Sequence, residues 1–166
     1  EFLRLLVEIA ATFKIEIWIQ TEPLAEGGLR RYYNIISRQE GNKAVITTAV
    51  VTAIATAILV TPITTSLTKL TEIAIEKIFE DQEAKQQQDE KTSLEIKKLK
   101  QEIKLDSLRL DQNFTIENRR SNFYHQLSIS ENVEKVSLVL YDERHNILIP
   151  EGIVEKNDFE AMQNHE

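Results

Sequence analysis

The chain has 166 residues, a formal net charge of −7 and no cysteine. That length allows one domain or two small lobes joined by a helix. The acidic balance argues against general nucleic-acid binding, which needs a basic face to displace counterions. The absence of cysteine excludes disulfides, thiolate metal sites and a cysteine nucleophile.

Residues 2–13 place Phe2, Leu5, Leu6, Ile9 and Phe13 at helical spacing, which predicts a short amphipathic helix. The period then drops to two. In KIEIWIQ (14–20), Ile15, Ile17 and Ile19 alternate with Glu16, Trp18 and Gln20, the pattern of a half-buried strand. Pro23 and Gly27-Gly28 punctuate a loop, and LRRYYNII (29–36) reads as the returning strand. Trp18 is the only tryptophan and sits on the polar face. With Tyr32 and Tyr33 across from it, it would form an aromatic contact patch on a partner or membrane, or lie under another layer.

After the turn at Gly41-Asn42 the chain carries no charge from Ala44 to Thr68, 25 residues in a row. A bilayer-crossing helix needs ~20 mostly apolar residues, because its backbone polar groups must be satisfied within the segment. Ala49, Ala53 and Ala57 recur every four residues beside Thr48, Thr52 and Thr56. On a helix they form one stripe of small residues, the kind of face along which helices pack closely or self-associate. Three structures fit the run: a self-associating transmembrane helix, a soluble helix buried on all sides, and a pair of strands split near Ala53, since Val, Ile and Thr favour strands. Arg30, Arg31, Arg38 and Lys43 upstream place the N-terminal hairpin on the cytoplasmic side if the helix spans a membrane.

Thr61-Pro62 resets the chain as an N-cap and first helical residue. Ile63, Leu67, Leu70, Ala74 and Ile78 then follow a helical stripe, which fades through 80–93 and resumes with Ile96, Leu99, Ile103 and Leu110. Leu105 and Leu108 lie off that second stripe. The pattern predicts a coiled-coil-like contact in one long helix, or two in series, from about 63 to about 112, projecting as a stalk or breaking near 86–93 and folding back.

Residues 115–128 predict a further helix with Ile116, Phe123 and Leu127 on its apolar stripe and Arg120 on the same face. VEKVSLVLYD (133–142) reads as a strand, ILIP (147–150) returns it, and Gly152 ends the pairing. Asn157 to Glu160 matches a capping box for another helix. The chain opens without Met and closes at that helix start, which reads as a fragment of a longer protein.

The predicted fold class is α+β and mainly helical. An N-terminal β-hairpin precedes a central apolar, transmembrane helix, then a long charged helix or helical hairpin, then a C-terminal β-hairpin. The predicted parts are 1–43, 44–62, 63–130 and 131–166. No phosphate loop, metal-ligand spacing or nucleophile motif occurs, so no enzyme activity, cofactor or metal is expected. His125, His145 and His165 are dispersed, while Asp142 to His145 and the acids Glu80, Asp81, Glu83, Asp89 and Glu90 read as solvated charge. The expected function is that of an oligomeric membrane protein, a pore-like or membrane-perturbing effector or a signalling anchor. It would contact lipid, further copies of itself and a protein partner, but no nucleic acid. The alternative is a cytoplasmic oligomeric interaction protein built around a buried apolar helix.

Overall fold

The computed structural model describes residues 1–21, 31–61, 67–85, 90–110, 114–141 and 146–163. Helix α1 (Phe2–Thr12) buries Leu5, Leu6, Ile9 and Ala10, the inward face of its helical repeat. It ends in a two-bond motif: the amide of Lys14 donates to Ala11 O and that of Ile15 to Ala10 O. Such an ending needs a left-handed residue, and Lys14 takes that role at φ 56°, where glycine is usual.

Strands β1 (Ile17–Thr21) and β2 (Tyr33–Ser37) pair antiparallel, with Ile17 opposite Ser37 and Ile19 opposite Ile35. Ile17, Ile19 and Ile35 turn their half-buried sides to the core. Gly41, at φ 104°, turns the chain into α2 (Asn42–Val60). The uncharged run is therefore helical from Ala44 to Val60, and its reading as two strands is overturned. Local i to i+4 bonding satisfies its backbone within one segment, whereas strands would need partners on both edges. Thr61 is extended at the end of α2, the conformation favoured before a proline.

Of the forms expected for 63–112, the folded-back pair is the one observed, as α3 (Leu67–Lys85) and α4 (Glu90–Ser107). They fold back on one another: the ammonium groups of Lys100 and Lys104 both donate to the Glu76 carboxylate, at 2.7 and 2.9 Å. Folding back buries both apolar stripes, which a projecting stalk would leave in water. Helix α5 (Phe114–Ser128) packs on α1.

Strands β3 (Lys135–Tyr141) and β4 (Ile147–Glu155) form the second hairpin. The expected end of pairing at Gly152 is not seen: Gly152 pairs with Leu138, and β4 continues to Glu155. Pro150, which has no N–H to donate, falls where the register shifts between Leu138 and Leu140. The capping box at Asn157 does not form either. A 3-10 turn over Lys156–Asp158 takes its place and leads into buried Phe159 and Met162.

One continuous core gathers residues from α1 to α5, from β4 and from Phe159 and Met162. Helix α2 is its axis. It touches α1, α3, β2, β3 and β4, and 13 of its 19 residues are buried. Full burial of an Ile or Leu side chain stabilises a fold by roughly 1.5–3 kcal/mol. Ile46, Ile54, Ile58 and Leu59, all fully buried, make α2 a principal source of stability.

Candidate functional site

Three clusters singled out by the sequence can now be placed. The first is the small-residue stripe. Ala53 is completely buried, and so to within a few per cent are Thr48, Thr52 and Thr56. Ala49 and Ala57 are half-buried. The hydroxyls of Thr48, Thr52 and Thr56 donate to the carbonyls of Ala44, Thr48 and Thr52, each at 2.8 Å. A threonine bonded this way is satisfied one turn back on its own helix. Its hydroxyl proton is not directed across a helix contact, and its methyl group packs as an apolar surface. In this arrangement most of the stripe is covered by other parts of the same chain. The helix is still long and apolar enough to cross a bilayer, though most of it is covered by protein.

The second cluster, the aromatic patch of Trp18, Tyr32 and Tyr33, is divided. Trp18 pairs across the hairpin with Ile36, not with a tyrosine, and Tyr33 pairs with Thr21. Side-chain alternation then sends Trp18 and Tyr33 to opposite faces. Trp18 points outward, 54% exposed, beneath the guanidinium of Arg38 at 5.3 Å from the ring centre. Tyr33 turns inward, with its ring 5.4 Å from that of Phe2 on α1. Tyr32 is exposed just before β2.

The third cluster is the contact stripe of Ile96, Leu99, Ile103 and Leu110. All four are buried, with α4 packed on α3 and Lys100 Nζ 6.0 Å from the Phe79 ring centre. The stripe is thus internal to the chain. On the opposite side of α4 lie Leu94 and Leu105, with Leu108 one residue past its end, each more than half exposed. At 3.6 residues per turn they occupy an arc of about 60°.

The C-terminal end of α2 forms a fourth cluster that the sequence does not announce. The last four carbonyls of any helix lack partners within it. Here the hydroxyl of Tyr124 on α5 donates to the carbonyl of Leu59. Tyr124 is completely buried, edge-on to Phe123 at 5.1 Å and 5.5 Å from Phe159. Burial pushes its phenol pKa above the ordinary value of 10.0. Beside it β4 crosses α2 so closely that a Cβ on Gly152 would lie 2.4 Å from Val60 Cγ2. The stepping Ile116, Arg120, Tyr124 is the buried face of α5. Tyr124 was legible only as the residue one turn beyond Arg120.

Among the described residues no group of three or more His, Cys, Asp or Glu side chains could hold a metal ion. His125 is exposed on α5. His145, His165 and the Asp142 to His145 turn lie outside the described residues, as does Asp89. Comparison with protein-family models, with curated proteins and with solved structures gives no match.

Proposed function

We propose that this chain is an oligomeric interaction protein working in the aqueous phase, with α2 as its internal core and the outer face of α4 as its self-contact. The observation that carries the reading is the two-sidedness of α4. Its buried stripe is occupied by α3, while Leu94, Leu105 and Leu108 form a second apolar stripe with no cover from the described residues. An isologous contact must be self-complementary, and the leucines near the two ends of this face can meet in an antiparallel pair. In an antiparallel pair centred on Gln101, Leu94 of one copy meets Leu108 of the other, seven residues to either side. Lys97 meets Leu105, four residues to either side, with its methylene stem along the leucine. Gln101 meets Gln101, and the side-chain amide both donates and accepts.

The mass of the purified protein in detergent-free buffer tests this. A dimer that Leu105→Asp converts to a folded monomer supports the α4 contact. A wild-type monomer, or an assembly unmoved by Leu105→Asp, rejects it.

A second reading, a membrane-embedded protein, rests on one observation: the charge-free run that holds the 19-residue α2. It requires α2 to leave the shell that covers it. Retention in membranes through an alkaline carbonate wash, with release by detergent, would favour it over the first reading.

A further inference from the structure

Arg120 is the charged residue of α5 that faces inward. It lies one turn from Ile116 and one turn from Tyr124, both fully buried, and is itself only 6% exposed. Its Nε has no hydrogen-bond partner, and no carboxylate among the described residues forms a salt bridge with it. The acid nearest in sequence is Glu117, exposed three residues earlier on the same helix, and its attraction offsets part of the burial cost without forming a salt bridge. A buried guanidinium with no salt bridge and an unpartnered Nε is a standing cost of docking, because the hydration lost there on burial is not replaced. Burial accordingly holds its pKa below the ordinary arginine value.

The neighbouring Arg119 shows the contrast. Its own Nε is likewise buried without a partner, but it reaches Glu1 at 3.4 Å and Glu8 at 4.0 Å, so the outer rim of the α5–α1 contact is ion-paired while Arg120 on the inner side has no salt bridge among the described residues. The hydroxyl of Tyr124 ties α5 to the core axis through its bond to Leu59.

We propose that α5 is a releasable clamp. It is held on α1 and on the end of α2 by Tyr124 and the Arg119 pairs, is opposed by the buried charge of Arg120, and opens before the core does. Release frees the Leu59 carbonyl end of α2 and the side of α1 that α5 covers. The device is local: α4, an outer helix of similar length, has its cations at the surface, and its Lys100 and Lys104 are neutralised by Glu76.

Native-state hydrogen exchange on the intact chain tests the clamp. The amides of 119–123 in α5 should exchange about tenfold faster than those of 96–103 in α4, reflecting a separate low-energy opening. In Arg120→Met, an apolar replacement of similar length, α5 exchange should slow by about tenfold and α4 exchange should be unchanged, since removing an uncompensated buried charge favours the docked state. Equal protection of α5 and α4 in the wild type overturns the proposal. So does an Arg120→Met variant that opens faster or fails to fold, because Arg120 would then be stabilising the docked helix.

Discussion

The hydroxyl of Tyr124 on α5 donates its hydrogen bond to the carbonyl of Leu59, in the last turn of the apolar helix α2. The two residues are 65 positions apart, and both are fully buried. The bond satisfies a carbonyl that the helix leaves without an internal partner. Tyr124→Phe keeps the ring contacts with Phe123 and Phe159 and strands that carbonyl away from water. The expected cost is about 1–3 kcal/mol, read as a lower urea midpoint with an unchanged slope.

The same residue sets an alkaline limit. A phenol whose pKa is raised by burial stays neutral in the folded chain and ionises more readily in the unfolded one. Its contribution is fully present below the ordinary value of 10.0 and is lost as pH rises from there toward the folded value. Stability of the wild type should therefore fall above pH 10.0 more steeply than that of Tyr124→Phe. Parallel curves for the two proteins between pH 8 and pH 11 would contradict the assignment.

Gly152→Ala places a methyl group 2.4–2.5 Å from the Cγ2 and Cβ atoms of Val60. Strand β4 must shift away from α2, at about 1–3 kcal/mol. Val60→Ala removes the two Cγ atoms but leaves its Cβ, so it should recover part of that loss in the double variant. Strictly additive thermal unfolding free energies would show that the two residues are not in contact.

Lys14→Gly should stabilise the protein. Lys14 holds a left-handed backbone at the end of α1, which an L side chain disfavours and glycine accepts. A gain of about 1 kcal/mol is expected in chemical denaturation. A loss would mean that the Lys14 side chain contributes more than its backbone strain removes.

Much of the fold was legible because the hydrophobic period changes along the chain. The step from period four to period two at Ile15 marks the first hairpin. The loss of charge after Lys43 marks α2, and the polar stretch after Glu80 marks the region where α3 gives way to α4. What could not be read is which surface each stripe meets. Ile96, Leu99 and Ile103 announce a helix contact equally well whether α3 or a second chain provides it. The Trp18 partner depends on the hairpin register, which turn geometry as well as the hydrophobic pattern sets. Gly152 reads as a strand terminator in sequence. Its reason for being glycine is Val60, far away along the chain. Tyr124 carries a polar atom whose acceptor is known only once α5 lies across the end of α2.

The enclosure of α2 by its own chain is the central claim, and the absence of native cysteine allows thiol labelling to test it directly. Single cysteines at Ala53, 0% exposed, and Val45, 44% exposed, should be treated with a membrane-impermeant maleimide without detergent. Rapid labelling of Val45→Cys and protection of Ala53→Cys until denaturant is added are expected. Rapid labelling of Ala53→Cys in native buffer, or its disulfide crosslinking to a second copy, would contradict that enclosure and open the face along Ala53 to solvent or to another chain.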